Sequence, residues 1–135
     1  MLGEIELLAK RSGDFGFETT LSGRTHIRLV RDLTRRGYAV YLFFLWVPTV
    51  ELALSRVRGR VMEGGHDVPA AVVRRRFGRS IGNFFRHYRA LVDSWILFDN
   101  SGAAPDIIAS EKGGEVRIMR KELYRDLVLR YEQKG

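Results

Sequence analysis

The chain is 135 residues long and 45% hydrophobic, enough for one domain with a substantial core, and it has no cysteine, which excludes a disulfide framework and any thiolate metal site. Its 23 Lys and Arg against 16 Asp and Glu leave a formal charge of +7. Arginine dominates that excess, which suits bidentate contacts to an anionic substrate or partner.

No apolar run reaches the roughly 18 to 20 residues of a membrane span, and no secretory leader pattern opens the chain, so a cytoplasmic location is expected. Leu2 to Lys10 reads as helical, without a capping residue ahead of it. A turn at Ser12 to Asp14 leads to a short strand from Phe15, ending in Glu18, Thr19 and Thr20. Ser22 can then cap a helix whose apolar positions are Ile27, Val30 and Leu33, with Gly37 as its stop.

Tyr38 to Trp46 is almost uniformly apolar, the composition expected of a parallel strand covered on both faces. Pro48 suits a first helical position, and Val50, Leu54, Val57 and Val61 form one buried stripe while Arg56 and Arg60 share another face. Gly64-Gly65 ends that helix. From Asp67, a candidate cap, helical periodicity runs to about Asp93, with arginines on the face opposite the apolar one and a bend expected near Gly78 and Gly82. Trp95 to Phe98 is a third strand, Gly113-Gly114 marks a β-hairpin, and Tyr124, Val128 and Tyr131 belong to a closing amphipathic helix.

Alternating strands and helices predict an α/β domain over 1–135 with right-handed crossovers. Ligands of such sheets bind beyond the carboxyl ends of the strands, so Glu18 to Thr20, Val47 to Thr49 and Asp99 to Ser101 are expected along one rim. His66 has no metal-ligand spacing to another histidine and reads as a loop residue. Aromatic residues interleaved with arginine near Phe84 keep the spacing of a core rather than of a nucleic-acid stacking surface, so nucleic acid is an unlikely partner from this stretch.

Four strings in order, FETTLSGRT (17–25), YLFFLW (41–46), RVRGRVMEGGHDVP (56–69) and WILFDNSG (95–102), resemble the zeta-toxin-like P-loop kinases. The resemblance covers nearly the whole chain. It implies a partial three-layer kinase fold with a mostly parallel sheet, an arginine-rich helical lid over about 49–93, and a C-terminal hairpin and helix. It also implies ATP and Mg²⁺ as cofactors and a nucleotide-sugar-like acceptor such as UDP-N-acetylglucosamine.

By that resemblance Glu18 and Thr20 hold the acceptor, Arg56 and Arg60 neutralise the transferring phosphoryl group, Arg75 and Arg76 grip phosphates, and Asn100 and Ser101 contact the base. These 135 residues contain no GxxxxGKS or GxxxxGKT loop, so the chain alone is expected to be inactive and its sheet to lack the phosphate-loop strand. Closure of the flanking strands, an N-terminal fragment, an antitoxin or a homodimer then completes the sheet. The alternative is a non-enzymatic basic α/β module binding an anionic ligand, nucleic acid or a protein.

Overall fold

The computed structural model describes residues 5–10, 15–18, 25–62, 64 and 69–132. Strands β1 (Ile5–Lys10) and β2 (Phe15–Glu18) lead into helix α1 (Thr25–Arg35) and strand β3 (Ala39–Trp46). Helices α2 (Val50–Met62) and α3 (Ala70–Asn83) follow, and α3 runs through a π-helical turn, Phe84–Tyr88, into α4 (Arg89–Leu91). Strands β4 (Ser94–Asp99), β5 (Asp106–Lys112) and β6 (Glu115–Ile118) and helix α5 (Lys121–Tyr131) complete the order.

The protein is α/β, with an open mixed sheet in the order β2-β1-β3-β4-β5-β6. Only β3 and β4 are parallel neighbours; every other adjacent pair is antiparallel. The expectation of a mostly parallel sheet is therefore corrected. Its main cause is the N-terminal segment: Leu2 to Lys10, read as helical, supplies strand β1 instead, wedged antiparallel between β2 and β3. No empty slot separates those two strands, and the apolar β3 is internal rather than an exposed edge. Local periodicity could not foresee this, because a short apolar run fits either state until a neighbouring strand offers its hydrogen bonds.

Since β2 and β3 both oppose β1, they are parallel to each other and, through β3, to β4. Both crossovers, β2 to β3 and β3 to β4, step across the sheet in the same direction. Right-handed connections that step the same way put their helices on the same face. One core accordingly joins Val30 and Leu33 of α1, Ile81, Phe84 and Tyr88 of the long helix and Leu127 of α5 to Leu42, Trp95 and Ile108 of the sheet. Among the described residues α1, the long helix and α5 pack on this one face, α2 packs against α3, and no helix is described on the other face, so these residues do not meet the three-layer expectation.

Strand β3 shows the consequence. Val40, Leu42, Phe44 and Trp46 are buried, whereas Tyr41, Phe43 and Leu45 are half-buried, so alternation replaces the expected two-sided cover. β4 repeats the pattern.

Several local expectations hold. Gly37 ends α1 at a φ of 86°, with Tyr38 N–H reaching the Leu33 carbonyl (3.0 Å) and Gly37 N–H the Thr34 carbonyl (3.1 Å), a Schellman closure. Gly113 and Gly114 turn the β5–β6 hairpin with φ of 59° and 82°, the pair of positive values a two-residue turn of that hand requires. Helix α2 begins later than Pro48: Thr49 caps it, its Oγ1 accepting the Leu52 N–H at 3.2 Å. Asp67, the expected cap of α3, and His66 lie outside the described residues.

The bend expected at Gly78 and Gly82 takes the form of the π-helical turn just beyond them. A Cβ at Gly82 would meet the end of the Arg86 side chain at 2.6–3.0 Å and push that guanidinium from its bond to the Tyr131 carbonyl. The same turn buries Tyr88, whose hydroxyl oxygen accepts backbone N–H bonds from His26 and Ile27. Those amides belong to the first turn of α1, where N–H groups have no intrahelical acceptor. Burial pushes the Tyr88 phenol up in pKa, and the two N–H bonds oppose that rise without cancelling it.

Candidate functional site

The parallel alignment of β2, β3 and β4 brings their carboxyl ends to one rim, as the sequence led us to expect. Glu18 closes β2, Trp46 closes β3 and Asp99 closes β4. Asn100 N–H donates to the Trp46 carbonyl at 2.7 Å, which carries the pairing with β3 one residue past the end of β4 and fixes where the following loop leaves.

α2 stands over that loop because Val47, Ala53, Leu54 and Val57 pack with Val73 of α3 into a second small core. This packing turns the half-buried Arg56 toward the loop, and its Nη2 donates to the Gly102 carbonyl at 3.4 Å. Arg56, Asn100 and Ser101 are therefore neighbours at the rim. Arg60 follows Arg56 by one helical turn on α2, but its side chain is outside the described ones, as are those of Glu18 and Thr20. Arg75 is exposed and Arg76 half-buried on α3, and neither is tied to the rim by a contact described here.

The rim also contains a pair that the sequence did not suggest. Asp99 is 8% exposed, and its carboxylate accepts the Ser101 N–H at 3.0 Å and a short hydrogen bond from Arg120 Nη1. Arg120 is 21 residues away in the chain, and only the β5–β6 hairpin returns it to the rim. No spacing rule announces such a partner.

Burial alone would raise the Asp99 pKa, but the hydrogen bonds from Ser101 and Arg120, with the Arg120 charge, outweigh it and hold the carboxyl below the usual carboxylate value. A depressed folded-state pKa gives stability that is present above the unfolded value and is lost as pH falls through the folded one. Arg120 is 46% exposed on its side chain, so solvent screening keeps the pair's share small. We expect Arg120→Met to raise the Asp99 pKa in a carboxyl-carbon NMR titration and to start acid unfolding at a higher pH. An unchanged titration would exclude the pair as the cause.

Arg86 and Arg89, two further arginines of the long helix, serve structure instead. Arg86 donates to the Tyr131 carbonyl (3.0 Å) at the end of α5, and Arg89 to the Tyr124 hydroxyl (2.7 Å) and to Glu132 (2.8 Å).

The charge is nonetheless distributed unevenly. The helical segments hold fifteen Lys and Arg against four Asp and Glu, and the six strands hold three against six. The helix layer is the cationic side of the molecule. Among the described residues no group of three or more His, Asp or Glu could hold a metal ion, and no helix is long and apolar enough to cross a membrane.

Compared with known proteins, the chain is similar to an uncharacterized protein of Haemophilus influenzae, 30% identical over 76 residues. The match covers 56% of this chain and 54% of that one, so the comparison spans about half of the relative, and the two chains are of nearly equal length. No family model matches the chain, and no solved structure matches it.

Proposed function

We propose that this chain is the phosphate-gripping part of a small-molecule kinase of the zeta-toxin-like type. The observation that carries the reading is the meeting of Arg56 with the Asn100–Gly102 loop at the carboxyl ends of the parallel pair β3 and β4. A guanidinium at that place, with Arg60 one turn on, can neutralise phosphate oxygens. Asn100 and Ser101 supply polar groups for a base, and Arg75 and Arg76 extend the cationic surface along α3. Glu18 and Thr20 are the proposed acceptor contacts, for a nucleotide-sugar-like hydroxyl.

Among the described residues no group of three or more His, Asp or Glu could hold a metal ion, and the 135 residues hold no phosphate loop. No transfer step is therefore assigned to this chain alone; its proposed part is to bind and orient phosphate.

Titrating ATP, ADP and a UDP-sugar against labelled protein by NMR tests the reading. ATP should shift the amides of Asn100 to Gly102, and Arg56→Ala should weaken its binding about tenfold, the loss expected for one charge-assisted hydrogen bond. Silence in that loop at millimolar ATP overturns the proposal. The concentration of charge on the helix layer favours the second reading, a non-enzymatic basic module. Salt-sensitive binding of a short duplex without nucleotide binding would select it.

A further inference from the structure

Helix α1 carries a stripe of arginine that the rim does not use. At about 100° per residue, Arg28 and Arg35 fall within about 20° of each other around the helix, and Arg31 lies about 40–60° from them. This is the side opposite Val30 and Leu33, which are buried in the core. All three arginines are exposed, and among the described residues none of them makes an ion pair or hydrogen bond. Asp32, the one acidic residue of the helix, is taken by Arg36 at 3.3 Å. With Leu29 and Asp32, the three arginines line an open recess of about 550 Å³.

We propose that this stripe binds the phosphodiester backbone of nucleic acid without reading its sequence. The inference rests on the second reading above, the basic module, and gives that module a surface and a partner. From Arg28 to Arg35 the helix rises about 10.5 Å, and a nucleic-acid strand carries one phosphate per about 3.4 Å of its axis. Three guanidiniums therefore meet the charge of about three phosphates over the same length. Each presents a planar fork that can bind two phosphate oxygens at once.

The composition of the stripe disfavours other anionic partners. A helix lying on a lipid surface needs an apolar face to enter it, and that of α1 is already occupied by the core. A protein interface needs apolar or aromatic anchors at its centre, whereas the exposed positions of α1 are Arg28, Arg31, Thr34 and Arg35. A polymer of regular charge needs neither. The rest of the molecule orients the contact, since the strands hold three cationic residues against six acidic ones. A polyanion is thus drawn to the helices and repelled from the sheet.

Fluorescence anisotropy of the full chain with a labelled random-sequence DNA duplex and an RNA duplex, over a range of salt, tests this. Each phosphate contact contributes about −0.9 to the slope of log K against log salt on B-DNA. Changing Arg28, Arg31 and Arg35 together to Gln should flatten that slope by about 2.7 and weaken binding about a hundredfold at about 0.1 M salt. Glutamine is as good a helix former as arginine, so circular dichroism should stay unchanged. Arg31→Gln alone should flatten the slope by about 0.9. Arg117→Gln removes one charge from strand β6, where the side chain is 72% exposed, and should leave the slope as it is.

The arm with the steeper slope identifies the backbone as DNA or RNA. An unchanged slope in the triple variant would overturn the inference and leave the basic-module reading standing, whereas no binding of either duplex at low salt would overturn both. Equal effects of Arg31→Gln and Arg117→Gln, which would make net charge the cause, would also overturn it. So would binding of anionic vesicles or polyglutamate with the same dependence on the three arginines. Any ATP shift at the rim should be the same in the triple variant, which keeps this test separate from the kinase reading.

Discussion

Replacing Phe84 with alanine is expected to cost about 4 kcal/mol, a large share of the stability of a domain whose total is roughly 5–15 kcal/mol. Phe84 is fully buried. Its ring meets those of Phe44, Phe85 and Trp95 at centroid distances of 5.3, 5.1 and 5.4 Å, the last two edge to face. One side chain therefore ties the π-helical turn to both parallel strands.

The surroundings cannot collapse into the space left, because β3 and β4 are held in register by their ladder and Trp95 is held by its own hydrogen bond to Glu111 at 3.2 Å. The cavity cost thus adds to the transfer cost. Urea unfolding should show a much lower midpoint at an unchanged slope. Phe77→Ala, at a half-buried position beside the second core, should lose less than half as much. Equal losses would show that the aromatic cluster has no special place in the fold.

Arg89→Ala is expected to cost about 2–3 kcal/mol and to loosen α5 before the rest of the molecule. The Arg89 guanidinium does three things: it donates to the Tyr124 hydroxyl, pairs with Glu132, and lies 5.1 Å from the centre of the Phe85 ring. These are unequal. Glu132 is 44% exposed on its side chain, so that ion pair contributes little. The hydrogen bond to the buried Tyr124 is worth about 1–2 kcal/mol, and the stacking on Phe85 about 0.5–1 kcal/mol more.

Lysine keeps the charge but not the planar fork, so Arg89→Lys should recover under half of the loss. Hydrogen exchange of the amides in 121–131 is the direct measure. Uniform loss of protection across the sheet instead would show that Arg89 is not an anchor particular to α5.

Much of the architecture was legible in the residues. Strands β3, β4 and the Gly113–Gly114 hairpin, helix α1 with its Gly37 stop, and the apolar face of the long helix all follow from period and turn chemistry. Among the candidate site residues, the rim position of Asn100 and Ser101 follows from the end of their strand, whereas Arg56 was named through the kinase resemblance. Arg86 and Arg89 had the same local appearance as Arg56. They differ only in what α5 brings to them, and α5 is more than thirty residues further along the chain.

By itself, then, the sequence determined which segments are apolar, where the turns fall and that the molecule is basic, because these follow from side chains within a few residues of one another. The tertiary structure decided the rest. It made Ile5–Lys10 a strand, packed α1, the long helix and α5 on one face of the sheet, and joined Asp99 to Arg120. Each of these depends on which distant backbone supplies a hydrogen bond or which way a crossover steps, and neither is encoded in the local pattern of hydrophobic and polar residues.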